Sequence, residues 1–61
     1  MENHPFKGRA VTLNSLLEEQ RALNMRLLLA VQLQDQAAQE AVKQELEENA
    51  AEIDQLLTRR L

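Results

Sequence analysis

The stretch Leu33-Gln34-Asp35-Gln36-Ala37 decides the fold of this 61-residue chain. Three polar residues in succession, 34–36, interrupt an apolar pattern that runs up to Leu33 and resumes after them. Asp35 is a good N-cap, because its carboxylate accepts from the free N–H groups of a first helical turn. Read as a cap, it starts a second helix and makes the chain a hairpin with a tight turn. Neither Gly nor Pro stands here, so one continuous helix of about 70 Å, at about 1.5 Å per residue, is the alternative. Short connections between helices are usual in compact domains, which favours the hairpin.

Outward from the turn, nothing else obliges the backbone to break. The only glycine, Gly8, and the only proline, Pro5, fall in the first eight residues. Leu, Ala, Gln, Glu and Arg dominate from Arg9 onward, and these are strong helix formers. The pattern predicts a flexible arm over residues 1–11 and one helical-hairpin domain over 12–61, with helices at about 12–34 and 36–60. The first helix has two candidate starts. Thr12 can cap it, with Val11 stapled on Leu16, or Ser15 and Glu18 can form a capping box.

At about 100° per residue, Leu13, Leu16, Leu17, Gln20, Leu23, Asn24, Leu27, Leu28 and Val31 share one face of the first helix. Ala22, Met25, Leu29 and Leu33 lie on the opposite side. Nine of the twelve residues from Ala22 to Leu33 are apolar, the exceptions being Asn24, Arg26 and Gln32. A helix apolar nearly all round is normally covered on more than one side. This segment expects more than one neighbour. In the second helix, Gln39, Val42, Leu46, Asn49, Ile53, Leu56 and Arg60 alternate by three and four like the a/d seam of a coiled coil. Glu40, Lys43, Gln44, Glu47, Glu48, Asp54 and Gln55 form its solvated side.

Size makes the need for a neighbour general. A chain this short buries only about 60% of the surface its unfolded form exposes. Small chains usually add disulfides, a metal or a partner subunit. There is no cysteine, and the single histidine, His4, sits beside Pro5 in the arm. Disulfides, thiolate metal sites and a His-based zinc site are therefore not expected, and a partner subunit is. Leu, Ile, Val and Phe make up 17 of 61 residues, above the level of a disordered chain. The longest apolar run, Leu27 to Val31, is far too short to span a membrane, and no secretory signal is visible. A soluble cytoplasmic protein is the expectation.

Catalytic chemistry finds little support. Ser15, Thr12 and Thr58 have no base near them in sequence, and Ser15 reads as a cap rather than a nucleophile. Glu45, Glu47, Glu48, Glu52 and Asp54 read as a solvated acidic face, since no Glu-x-x-His accompanies them. Residues 34–61 carry seven acids and three bases, net −4, whereas 1–33 carry four bases and three acids, net +1. Arg21 and Arg26, with Lys7 and Arg9 of the arm, are the candidate nucleic-acid contacts. Phe6 is the only aromatic, so stacking partners are lacking. Asn24 and Asn49 stand where apolar residues would pack better, either as residues that set register or as semi-exposed positions near a bundle end.

Gln39, Val42, Leu46, Ala50, Glu52, Ile53 and Arg60, after a glycine-free turn around Asp35, resemble the second helix of the Rop (Rom) family of plasmid copy-number regulators. Ala22-Leu23-Asn24-Met25 echoes that family's first helix. The resemblance covers about 25 residues and implies two hairpins paired in an antiparallel four-helix bundle, which binds paired RNA loops through its first helices. The family's phenylalanine and lysines on that RNA-binding face are replaced here by Glu18, Glu19, Ala22, Leu29 and Leu33.

The expectation is thus an all-α, two-helix antiparallel hairpin that dimerises into a four-helix bundle, with no enzymatic activity and no cofactor. It is expected to act as a small regulator or adaptor by binding protein. The expected oligomer or partner interface comprises Leu23, Met25, Leu27, Leu28, Leu29, Val31, Leu33, Val42, Leu46, Asn49, Ile53 and Leu56. An RNA-binding bundle and a structural coiled-coil segment with one continuous helix are the alternatives.

Overall fold

A computed structural model describes residues 11–59. It is an antiparallel hairpin of two helices, α1 (Leu13–Gln32) and α2 (Gln36–Arg59), packed along their length. The continuous helix is therefore excluded. The arm residues His4, Phe6, Lys7 and Arg9, and Arg60 and Leu61 at the other end, lie outside the described residues.

Helix α1 starts at Thr12, whose backbone is extended (φ −112°, ψ 162°). The Ser15 N–H donates to Thr12 Oγ1 at 3.1 Å, and the Thr12 N–H donates back to Ser15 Oγ at 3.2 Å. The Ser15 hydroxyl also donates to the Thr12 carbonyl at 2.9 Å. This reciprocal capping box satisfies donors that a helix start would otherwise leave free. Of the two starts open in the sequence, the earlier one is used. Ser15 takes part as the third helical residue, and Glu18 is not needed.

The turn is built of three residues. Leu33 closes α1, with its N–H donating to the Leu29 carbonyl at 2.9 Å. The Gln34 N–H then bonds the Val31 carbonyl at 3.0 Å, and the Asp35 N–H bonds the Ala30 carbonyl at 2.9 Å. These two bonds are those of a Schellman motif, which consumes the last carbonyls of a helix. The motif requires a left-handed residue, and Gln34 supplies it at φ 57°. Glycine usually stands there; the turn expected at 34–36 is made without one. Asp35 ends one helix and begins the next: its Oδ1 accepts from the Ala38 N–H at 3.1 Å and its carbonyl from the Gln39 N–H at 3.0 Å.

The interior is a single seam. Leu16, Leu23 and Ala30, seven residues apart, are the buried residues of α1; Val42 and Asn49, again seven apart, are those of α2. Leu13, Gln20 and Leu27 of α1 are half-buried, as are Ala38, Gln39, Glu45, Leu46, Ile53 and Leu56 of α2. The broad core face expected of α1 is narrower than its sequence pattern. Leu17, Asn24, Leu28 and Val31 stay exposed, and Ala30 is buried instead. One helix beside another covers only one stripe, and a small side chain near the turn lets the two backbones close.

Candidate binding surfaces

The Arg26 guanidinium meets the Glu45 carboxylate at 3.2 Å, linking α1 to α2. This contact fixes which flanks of the two helices lie on the same side of the hairpin. Helical periodicity then divides the surface. On the Arg26 side α1 presents Ala22, Leu29 and Leu33, and α2 presents Ala38, Ala41, Glu45, Glu48 and Glu52 along one stripe spaced by three and four. On the other side α1 presents Leu17, Asn24, Leu28 and Val31, and α2 presents Leu46, Ala50, Ile53 and Leu57.

Both sides leave apolar surface open. Leu28, Leu29 and Val31 are half exposed or more, and Leu33 and Met25 reach 67% and 69%. Near the turn, the Arg26 side forms an apolar hollow of about 360 Å³ between Leu29, Ala30 and Leu33 of α1 and Ala38, Ala41 and Val42 of α2. Arg26 and Asp35 stand at its rim. The hollow exists because α2 carries alanines where α1 carries leucines. At the open end of the hairpin a second hollow of about 550 Å³ lies among Val11, Leu16, Glu52, Gln55, Leu56 and Arg59.

The expected interface residues separate into three groups. Leu23, Val42 and Asn49 are consumed inside the hairpin and offer no outer surface. Leu27, Leu46, Ile53 and Leu56 are half-buried at the margins of the seam. Met25, Leu28, Leu29, Val31 and Leu33 are open. The turn gathers Leu29 and Leu33 with Ala38 and Ala41, a grouping the sequence could not show before the hairpin was known. Arg21 is exposed, and Arg26 is held by Glu45.

The two seam asparagines differ. Asn24 is exposed, whereas Asn49 is 2% exposed and reaches across to α1. Its Nδ2 donates to the Leu16 carbonyl at 3.0 Å and to Glu19 Oε1 at 3.4 Å. Both partners are acceptors, which fixes the orientation of the amide. Its Oδ1 is buried without a hydrogen-bond partner. Ser15, the one serine, has its hydroxyl engaged in the helix cap. Among the described residues no group of three His, Asp or Glu side chains could hold a metal, and no helix is long and apolar enough to cross a membrane.

Comparison with known proteins found no match: no family model, no curated protein and no solved structure matches this chain. The hairpin architecture is shared with the Rop-like expectation, and membership of that family has no support from the comparisons.

Proposed function

We propose that this chain is a non-enzymatic adaptor or regulator that self-associates as a helical dimer and acts by binding another protein. The observation that carries the reading is the side of the hairpin bearing Leu17, Leu28 and Val31 of α1 and Leu57 of α2, all of them substantially exposed. Half-buried Leu27, Leu46 and Ile53 extend this surface towards the seam. Its charged residues are Arg21 of α1 and Lys43, Glu47 and Asp54 of α2, two of each sign. A second copy laid against it with its turn at the open end of the first sets Lys43 beside the Asp54 of the copy. Such a face, about 30 Å long and 20 Å wide from helix dimensions, buries on the order of 1,200 Å² in total, the lower bound of a stable interface. Two hairpins paired this way make a four-helix bundle, in which each helix has two neighbours, as the apolar breadth of residues 22–33 calls for.

Sedimentation of the wild type beside Val31→Glu and Leu57→Glu tests this. Each substitution introduces a carboxylate that the dimer would bury, so association should weaken at least about tenfold while helicity persists. Variants that sediment like the wild type would remove this face from the interface. The RNA-binding alternative has less in its favour, because Arg26 is paired with Glu45 and the outer surface of α1 carries Glu18, Glu19 and leucines.

A further inference from the structure

We infer that the Arg26 side of the hairpin, from the hollow near the turn to Glu52, is a docking groove for a cationic amphipathic helix of another protein. The inference rests on the adaptor reading and supplies the chemistry of its partner. The groove has two halves along one stripe of α2. Ala38 and Ala41 floor the hollow opposite Leu29 and Leu33. Glu45, already paired with Arg26, and then Glu48 and Glu52 follow at the same three-four spacing, and Glu19 stands on α1 beside them, close to Asn49. An incoming helix therefore meets an apolar seat first and a row of carboxylates next. Helices that bind in grooves do so through apolar anchors at three-four spacing, with charge beside the anchors setting specificity.

Two competing occupants are disfavoured by the same stripe. A second copy of this chain laid antiparallel would set Glu48 and Glu52 against the Glu48 and Glu45 of the copy, bringing like charges together. Laid parallel, α2 would lie on α1 of the copy and bring Glu52 against the Glu19 of the copy. A nucleic acid would meet those carboxylates with its phosphates. A lysine- or arginine-bearing helix with apolar anchors satisfies both halves, and this side stays open when a dimer forms across the other.

The test is titration calorimetry of the full chain with a synthetic Leu/Lys amphipathic helix of about four turns, a Leu/Glu peptide of the same length serving as the control. The wild type should bind the Leu/Lys peptide and not the Leu/Glu one. Glu48→Lys with Glu52→Lys should weaken binding at least about tenfold, because two favourable contacts become repulsive. Glu40→Lys with Glu47→Lys changes the net charge equally on the outer side of α2 and should alter affinity less than about twofold. Leu29→Gln, which keeps the charge and removes one wall of the hollow, should weaken binding several-fold. Equal losses in both charge-reversed pairs would reduce the binding to general attraction and overturn the groove, as would indifference to Leu29→Gln. Sedimentation of the same samples separates the two readings: a wild-type monomer that binds the peptide with this pattern refutes the dimer and retains the groove.

Discussion

The side-chain amide of Asn49 donates to the backbone carbonyl of Leu16 across the hairpin at 3.0 Å, joining two residues 33 apart in the chain. It is the buried polar link of the seam, and it comes with a cost. As a helix carbonyl, the Leu16 oxygen already accepts within α1, so it does not need Asn49. The Oδ1 of Asn49, by contrast, is buried with nothing to accept from. Such a group lowers stability by about 1–3 kcal/mol and is retained where it selects one register among several.

Replacing Asn49 should therefore separate stability from register. Asn49→Leu removes the orphaned oxygen and should leave the melting temperature unchanged or raise it by several degrees, since about 1 kcal/mol shifts a domain this size by roughly 4–8 °C. Asn49→Asp sets a buried carboxylate against Glu19 and the Leu16 carbonyl, and should cost about 3 kcal/mol or more. Circular dichroism melts of the two variants check both. A stable Asn49→Asp protein would show that the site is wetter than its burial indicates.

Gln34 holds the left-handed position of the turn with a side chain that gains nothing from it. Gln34→Gly should stabilise the hairpin by about 0.5–1 kcal/mol, because glycine adopts positive φ without a steric penalty. Gln34→Val should destabilise it by more than that, because a β-branched residue is disfavoured at positive φ. Urea midpoints measured side by side give the sign of each change.

The two N-caps can be weighed in the same way. Thr12→Ala and Asp35→Ala should each cost about 1 kcal/mol. Thr12→Ala combined with Ser15→Ala should cost less than the sum of the single changes, since both remove one reciprocal pair of bonds. A fully additive double mutant would mean that the capping box does not act as a unit.

The Arg26–Glu45 pair is a positional marker more than a source of stability. Its side chains are 56% and 45% exposed, so solvent screens them. Glu45→Ala should change the unfolding free energy by no more than about 0.5 kcal/mol. A larger loss in a urea titration would assign that contact a structural weight its exposure does not suggest.

Much of this fold was legible because the informative residues act locally. Thr12, Ser15 and Asp35 are capping residues by chemistry, and the three-four spacing of leucines, valines and isoleucine announces two helices. The turn was harder, since the left-handed residue is Gln34 and glutamine carries no such signal. Which apolar residues would be buried was harder still. Periodicity puts Leu17, Leu28 and Val31 with Leu16 and Leu23 on one broad face, but a single neighbouring helix covers only a narrow stripe of it. Ala30 is buried because it is small and sits near the turn, a property of the pair rather than of either helix. The hollow beside it joins residues on both arms of the hairpin and has no local signature at all.

The central claim is that one hairpin is half of the functional unit. Sedimentation equilibrium of the full chain at micromolar concentration tests it most directly. The account predicts a helical species at twice the chain mass of 7.0 kDa, whose melting temperature rises with protein concentration. A folded species at 7.0 kDa, melting at one temperature over a hundredfold range of concentration, would contradict it.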